Sequence, residues 1–505
     1  MKLNEILPSE FYSQQVKDRK IFETRAYQFA ELTVPYAIRR DGTNSTTPMG
    51  FKRAQSYCGG LTQTLKSKIA LTLLPPSTSS FRFTVDEKTL DQLSSLDTST
   101  PSREEIFSEL SARTDQINTE LENQQIRATV MDMVLQLLVV GSVVIEKVPK
   151  KGLIIHPLKS FTVKTNRRGE AEAICIVEKL TELPEGITPK SEQDEYKLYT
   201  LLYEDPDTDK WVMKQELDGD IVGKEQTFKD EMDVPFRYLG WQWQVGDDYH
   251  RPYVEDYYDD MVQLNHLAEL LTRGALASAK VTWLVNEQGG FTDKREIEQS
   301  PTGAYLHGRE SDVGVVQAGK NFDFQVPMER EANLKKELAK AFLSNESATR
   351  QAERVTAYEI QLMARELESS TLGGLYSSMS LGFSKWLVHQ IMKELKIQFS
   401  TFDVEILTGL DALGRSQEAQ KLDGYMQRMA QLQLTNMVNM KEVAIRYASF
   451  DGINTVGLLK SDKEIQQEQQ QAQQQMAQQQ AQESIAKETG GMVRDAVTQS
   501  GQPPS

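Results

Sequence analysis

The residues best suited to chemistry lie in one polar stretch, residues 345–360, with the sequence NESATRQAERVTAYEI. Four of its side chains are candidates for contact with phosphate: Thr349, Arg350, Gln351 and Arg354. Arginines beside neutral donors commonly hold a nucleic-acid backbone, although a loop salt-bridged through Glu346 or Glu353 explains the same residues. The stretch has no catalytic group beyond ordinary charges, so it predicts contact with a polyanion and no chemical step.

A second group of candidates is an acidic cluster made of Glu255, Asp256, Asp259 and Asp260. A pair of carboxylates such as Glu255 and Asp259 can bind a hard cation, so a metal-dependent hydrolase is one alternative. Acidic residues are also favoured at the start of a helix by the helix dipole. We favour this structural interpretation and predict a chain that is not an enzyme, with no catalytic, metal or cofactor site.

Further motifs that resemble chemical sites have simpler explanations. The segment GDIVGK at residues 219–224 is one residue short of a phosphate-binding loop, and Glu225 follows where Ser or Thr would hold magnesium, so a hairpin turn is predicted. Trp241 and Trp243 alternate as in a strand and are expected in a sheet core, with a base-stacking platform as the alternative. The histidines have no metal-ligand spacing to one another or to cysteine: His156, His250, His266, His307 and His389.

Composition limits the classes of protein that this chain can form. It has 505 residues, with 57 basic and 73 acidic side chains and a net charge of −16, which argues against a surface that grips DNA throughout. The longest apolar run, residues 134–145, is too short and too polar for a membrane span, and the N-terminus lacks the apolar core of a signal peptide. Cys58 and Cys175 are too few for a disulfide framework, which suits a reducing cytoplasm.

Hydrophobic periodicity predicts a mainly helical chain with a β-rich section in its first half. Predicted helices cover residues 8–35, 51–74, 102–124, 126–140, 253–280, 328–344, 356–394 and 415–460. A capping box of Thr356 and Glu359 supports the start of the longest helix, and Gly373 and Gly374 are expected to bend it.

Short runs rich in β-branched residues predict the strands. They cover residues 81–85, 143–148, 153–156, 161–165, 173–179, 196–204, 211–217, 236–244, 281–285, 303–306, 313–316 and 397–406. Turns at residues 166–169 and 205–207 should join their neighbours as hairpins. Residues 466–482 are rich in glutamine and cannot build a core of their own.

Four motifs occur in order along nearly the whole chain: FETRAYQFAELTVP, QAERVTAYEI, ELESSTLGGLYS and TGLDALGRSQEAQKL. In this order they resemble the portal, or head-to-tail connector, proteins of short-tailed podovirus-type phages. The resemblance implies an α+β, mainly α, phage portal fold that assembles as a cyclic ring of about twelve copies around a central DNA channel. It implies no cofactor, because a portal is passive and the packaging motor is a separate ATPase.

The resemblance divides the chain into an N-terminal wing (1–252), a first stem helix (253–280), a clip (281–325), a second stem helix (328–344), a tunnel loop (345–355), a long kinked wing helix with a strand (356–411), crown helices (412–460) and a glutamine-rich, partly disordered tail (461–505). The DNA contacts of the tunnel loop would be Thr349, Arg350, Gln351 and Arg354. Arg309 and Glu310 are expected to dock the motor through the clip.

The implied partners follow from the place of a portal at one capsid vertex. They are further copies of this chain, double-stranded DNA, the terminase large subunit, the major capsid and scaffolding proteins, a tail adaptor protein and internal core proteins. The implied location is the virion, with assembly in the host cytoplasm and no membrane. The alternative is an oligomeric tail adaptor or scaffold protein without a DNA channel, which would share the helices and the glutamine-rich tail.

Overall fold

The structure is a computed structural model that describes residues 3–40, 53–76, 79–84, 103–181, 194–279, 282–285, 313–316, 324–344, 372–397, 403–406 and short pieces within 295–301, 363–370 and 421–447. The chain divides into two compact units. The first contains residues 1–100 and 113–418, and the second contains residues 101–112 and 419–505. In the second unit, residues 421–431 are helical, within the predicted helices of 415–460.

The described residues form both helices and strands. The α-helices are α1 (Pro8–Leu32), α2 (Tyr57–Leu73), α3 (Arg103–Asn123), α4 (Ile126–Val139), α5 (Tyr258–Ala279), α6 (Gln325–Ala341) and α7 (Gly373–Glu394). The β-strands are β1 (Phe81–Thr84), β2 (Ser142–Val148), β3 (Gly152–His156), β4 (Phe161–Thr165), β5 (Ala171–Leu180), β6 (Tyr196–Asp205), β7 (Lys210–Leu217), β8 (Asp220–Phe228), β9 (Phe236–Gly240), β10 (Thr282–Val285), β11 (Val313–Val316) and β12 (Asp403–Ile406). This mixture confirms the predicted α+β, mainly α, class. Among the helices described, none combines the length and hydropathy that a membrane crossing requires.

Helix α1 follows its sequence signals closely. Pro8 stands at its first position, where a missing N–H is not needed. Phe11 and Phe29 lie on its buried side. The helix stops at Thr33, whose Oγ1 donates a hydrogen bond to the carbonyl of Phe29 at 2.7 Å, and Pro35 follows, as the sequence predicted.

Helix α4 is buried on nearly every side, as its apolar sequence predicted. It packs against α2 and against strands β2 and β3. Its fully buried side chains are Ile126, Val130, Met133, Val134, Leu137, Leu138 and Val139. Gln125, in a left-handed conformation with φ 53°, turns the chain from α3 into α4. Helix α2 itself begins at Tyr57, later than predicted, and residues 51–52 lie outside the described part.

Two antiparallel sheets form the β-rich section. One has the strand order β3-β2-β9, and the other is a meander of β4-β5-β6-β7-β8. The hairpins predicted at residues 166–169 and 205–207 are confirmed. Strand β8 was not predicted, and the hairpin turn predicted at residues 219–224 is wrong for residues 220–224, which belong to β8. The turn lies one residue earlier: Asp218 and Gly219, with φ of 51° and 85°, form the two-residue Asp-Gly connection typical of tight hairpins.

The remaining strands pair in twos. Strand β1 pairs antiparallel with β12, so that Phe81 lies opposite Ile406, and β10 pairs antiparallel with β11. Within the predicted strand 397–406, β12 covers Asp403–Ile406, and residues 398–402 lie outside the described residues. The predicted strand 303–306 and the loop at residues 41–50 lie outside the described residues.

The bend predicted at Gly373 and Gly374 is a break between helices. Ser370 accepts a hydrogen bond at its carbonyl from the Gly373 N–H at 3.1 Å and at its Oγ from the Leu372 N–H at 3.2 Å. These bonds close a turn, and α7 then starts at Gly373. A Ser side chain competes with helical hydrogen bonding in this way, so the long helix is interrupted where the glycines weaken it. Trp386 anchors α7 by donating from Nε1 to the Val234 carbonyl at 3.0 Å.

Candidate functional site

The residues predicted to contact DNA and the motor lie outside the described part of the structure: Thr349, Arg350, Gln351, Arg354, Arg309 and Glu310. The structure does describe the two helices on either side of the predicted clip. We call α5 and α6 together the stem hairpin. The predicted tunnel loop begins directly after its second helix, so the geometry of the stem hairpin decides where that loop starts.

The first stem helix differs from its prediction at its root. The helix was expected to start at Tyr253, but Tyr253–Tyr257 form a 3-10 helix, and α5 follows. Tyr253 is buried, with its ring 5.9 Å from Trp241 and 5.1 Å from Phe342. Its hydroxyl donates to the carbonyl of Ala341 at 2.7 Å. The tighter turn therefore places Tyr253 where it joins the start of one stem helix to the end of the other.

Helices α5 and α6 run antiparallel along their whole described length. Near the middle, the Arg330 guanidinium donates to Gln263 Oε1 at 3.4 Å. Near the far end, Gly274 faces Phe324 so closely that an added Cβ would stand 2.2 Å from the ring. Only glycine permits this approach, so Gly274 lets the Phe324 ring seat against α5.

Helix α6 ends in a Schellman motif built without glycine. The N–H of Ser344 donates to the Ala339 carbonyl at 2.7 Å, and the N–H of Leu343 donates to the Lys340 carbonyl at 3.2 Å. Leu343 adopts the left-handed conformation that this motif requires, with φ 52°. A non-glycine residue held there is strained, so the surrounding contacts must hold the turn in place.

Lys68 of helix α2 supplies one of those contacts. Its side chain is only 7% exposed, and Nζ bonds both the carbonyl of Leu343 and Glu366 Oε2, the latter at 2.9 Å. A buried ammonium needs such partners to offset its lost hydration. The predicted tunnel loop therefore starts from a fixed point, two residues beyond Leu343.

The free face of α6 carries a pair of lysines. Leu334 and Leu338 are buried and hold the helix against the fold. Lys336 and Lys340 are exposed one turn apart on the opposite side. Lys335, between the two faces, is tied to Glu331 at 2.8 Å. Sequence reasoning missed this pair, although its spacing relative to the buried leucines was a sufficient signal.

The flanks of the stem hairpin are apolar. On α5, Leu270 and Leu276 are 62% and 69% exposed, and on α6, Val326 and Met328 are 73% and 58% exposed. At about 100° per residue, Val326 and Met328 lie about 200° apart around their helix, so they face opposite ways. Large apolar side chains left in water on both sides of one element are characteristic of a surface that another chain covers.

The acidic cluster at residue 255 is a structural feature. Glu255 pairs with Arg251 at 3.2 Å and with Arg25 at 3.8 Å. Burial raises the pKa of Asp256, and the neighbouring Arg251 opposes that rise. Within the part of the chain that the structure describes, Glu255 and Asp259 do not join a group with metal-binding geometry. The arrangement favours the helix-start interpretation over the hydrolase.

The two tryptophans have separate roles. Trp241 is 4% exposed and belongs to the core, as predicted. Trp243 is half-buried and covers Gly169 in the β4–β5 turn, where an added Cβ would lie 2.6 Å from its ring. A platform for stacked bases needs free ring faces, and Trp241 has none.

The family of the chain follows from comparison with known proteins. Residues 9–459 match the family model described as bacteriophage head to tail connecting protein, so the chain belongs to that family. This membership confirms the resemblance drawn from the four motifs, and it supports a portal function. Head-to-tail connection is a structural role. Family membership therefore indicates a virion component at the head–tail connection.

Individual relatives agree with the family. The portal protein of Escherichia phage T7 is 29% identical over 484 residues, covering 90% of this chain and 88% of the relative. The portal protein of Enterobacteria phage SP6 is 29% identical over 507 residues, covering 96% and 95%. The portal protein of Pseudomonas phage phiKMV is 26% identical over 489 residues, covering 90% and 92%.

Solved structures with some similarity come from gene transfer agent particles. The neck of the native particle, computed with C12 symmetry, has a TM-score of 0.34 at 14% identity and covers 73% of this chain and 86% of its own. The neck of the empty particle, computed with C6 symmetry, has a TM-score of 0.37 at 13% identity and covers 76% and 90%. Likeness at these TM-scores is too weak to support a conclusion about assembly.

Proposed function

We propose that copies of this chain close into a ring of about twelve at the head-to-tail junction, with their stem hairpins side by side around a channel for double-stranded DNA. The observation that carries the proposal is the stem hairpin itself. It presents a lysine-bearing face between two apolar flanks, and its buried face is already covered by the same chain.

The apolar flanks supply the contact between neighbours. Full burial of a Leu, Val or Met side chain contributes about 1.5–3 kcal/mol, and these four are each more than half exposed. In a ring each hairpin has a neighbour on both sides. Flanks that face opposite ways on α6 match that requirement, whereas a simple dimer would use only one of them.

The lysine face suits the wall of the channel. Lys336 and Lys340 would meet phosphates of the passing duplex, while the overall charge of −16 keeps the rest of the chain from holding it. Contacts of this kind are weak and sensitive to salt. A wall with a few basic points lets DNA slide.

The tunnel loop extends the same chemistry further into the channel. Residues 345–355 leave from the fixed end of α6, and the side chains we assign to DNA contact are Thr349, Arg350, Gln351 and Arg354. Two arginines with neutral donors beside them can follow a moving backbone without reading its sequence.

The other parts of the chain follow the family architecture. The wing, clip, crown and tail would have the boundaries that the family resemblance implies, and Arg309 and Glu310 of the clip would dock the terminase large subunit and later the tail adaptor. Major capsid, scaffolding and internal core proteins would contact the ring within the capsid. Assembly would take place in the host cytoplasm.

Replacing both Arg350 and Arg354 with Ala tests the channel role. Ring assembly should persist, while genome packaging or retention in particles should fall. The matched control is Arg167→Ala with Arg168→Ala, which removes two exposed charges from the β4–β5 turn. Full packaging by the Arg350/Arg354 double variant, measured as DNA per particle, would exclude the tunnel-loop role.

Electron microscopy of the purified protein separates the portal from the alternative tail adaptor or scaffold. A portal requires a ring with a bore about 20 Å or wider, because the bore must admit a B-form DNA duplex. An assembly with no bore would favour the adaptor.

A further inference from the structure

Three potential metal ligands converge in the β-rich section from three different strands. One ligand atom from each of Glu146, His156 and Glu178 lies within 4.8 Å of the other two. Neither the predicted channel nor its loop uses any of them. Their spacing in sequence gives no sign of a site, because the sheets bring them together.

The cluster joins the two sheets. Glu146 is on β2 and His156 ends β3, in the three-stranded sheet, whereas Glu178 is on β5 of the meander. Glu146 lies opposite Ile154, two residues from His156, so the side chains of Glu146 and His156 share one face. Any group bound by all three residues would therefore tie the sheets together.

His156 sits at the closed end of the cluster and the carboxylates at its open end. Its side chain is 5% exposed, and Nε2 lies 3.0 Å from Glu146 Oε2, whose side chain is 22% exposed. Glu178 is half-buried, and its carboxylate forms no hydrogen bond within the described residues. The imidazole supplies a buried nitrogen ligand, and the two carboxylates are partly open to solvent.

The cluster places two carboxylates beside one imidazole. Burial raises the pKa of Glu178, the nearby His156 lowers it, and the Glu146 carboxylate raises it again. Two carboxylates thus crowd one imidazole with partial loss of hydration. A cation at the centre would neutralise both at once.

We propose that Glu146, His156 and Glu178 bind one divalent transition-metal ion, with zinc preferred, as a link between the two sheets. One imidazole nitrogen with carboxylate oxygens is a donor set that zinc accepts at about 2.0–2.2 Å, and a water completes four-fold coordination. This site is independent of the proposed DNA channel.

The test uses the full-length protein, stripped with EDTA, dialysed and titrated with zinc chloride in a calorimeter at neutral pH. We expect one zinc per chain. Glu178→Gln and His156→Gln should each weaken binding by at least tenfold, since each removes a direct ligand. The matched control is Glu172→Gln, an exposed glutamate on the same strand, which should bind as the wild type does.

Two further readouts distinguish a specific site from nonspecific zinc binding at other histidines. Zinc should raise the melting temperature of the wild type and of the control but leave that of Glu178→Gln unchanged. The melting temperature of His156→Gln should likewise not change with zinc, because that variant also lacks a direct ligand.

Several results would overturn the proposal. No zinc uptake by the wild-type protein would do so without reference to any variant. Equal binding by Glu178→Gln and the wild type would do so too, since the metal would then lie elsewhere. Circular dichroism checks that Glu178→Gln is folded, which we expect because no hydrogen bond is lost; Glu178→Asp, with a shorter reach, serves as a second test.

Discussion

The apolar flanks of the stem hairpin allow a direct test of ring formation. We consider a variant in which four exposed side chains become polar: Leu270→Gln, Leu276→Gln, Val326→Thr and Met328→Gln. Each is about 58–73% exposed in the single chain. Full burial of such a side chain contributes about 1.5–3 kcal/mol, so burying the exposed part, about two thirds, against a neighbour contributes about 1–2 kcal/mol for each.

For all four together, that is about 4–8 kcal/mol per chain, which corresponds to a factor of at least about 10³ in association. The ring should therefore be lost at protein concentrations where the wild type is fully assembled. Size-exclusion chromatography with light scattering measures the mass, and negative-stain images show whether rings remain. The isolated chain should keep its fold, because the replaced side chains contribute little to its own core.

The control is Val245→Thr, which alters a side chain that is 82% exposed outside the stem hairpin. It should assemble as the wild type does. If the fourfold variant formed rings at the same concentration as the wild type, while circular dichroism showed both to be folded, the stem flanks would not be the contact between neighbours.

Further predictions concern the stability of the single chain. Burial lowers the pKa of His250 from 6.5 to about 4. Between these pH values the unfolded chain binds a proton at this position and the folded chain does not, so the free energy of unfolding should drop by about 3 kcal/mol as the pH falls from 6.5 to 4. Denaturant titration of His250→Asn should show that this pH dependence is lost. Lys147 and Glu394 form an ion pair 2.7 Å long, with side chains 2% and 11% exposed. Lys147→Met or Glu394→Met alone should lower the free energy of unfolding by about 3–5 kcal/mol, and the double variant should lose clearly less than the sum of the two. Additive losses in that double-mutant cycle would contradict the coupling. Gly141→Ala should destabilise the fold by more than about 2 kcal/mol, since φ is 93° and the new Cβ would stand 2.3 Å from the His250 carbonyl. Gly219→Ala, at φ 85° with open space around it, should show only the backbone cost of about 1 kcal/mol in the same thermal melts.

Much of the fold was predictable because its causes are local. Pro8 and Pro35 bound α1, and the Asp-Gly pair at residue 218 turns β7 into β8. The continuous apolar run of α4 predicted its burial. In each case the signal lies within a few residues of the structure that it produces.

The channel residues show the limit of such signals. Local residue types suggested DNA contact by Arg350 and Arg354, and that stays a prediction, as does motor docking by Arg309 and Glu310. The structure contributes the base on which the loop stands: a strained Leu343 held by Lys68, which belongs to a helix more than 250 residues earlier in the chain. No local pattern links those two residues.

The sequence by itself determined the family, the helical and β-rich sections and the positions of most turns, since motif order, periodicity and turn chemistry are properties of neighbouring residues. Tertiary structure alone decided the 3-10 start at Tyr253 and the meeting of Glu146 and His156 with Glu178. Each of these depends on side chains that approach one another across sheets and helices. The free energy of such contacts depends on distance in space and on loss of hydration, and the spacing of residues along the chain predicts neither.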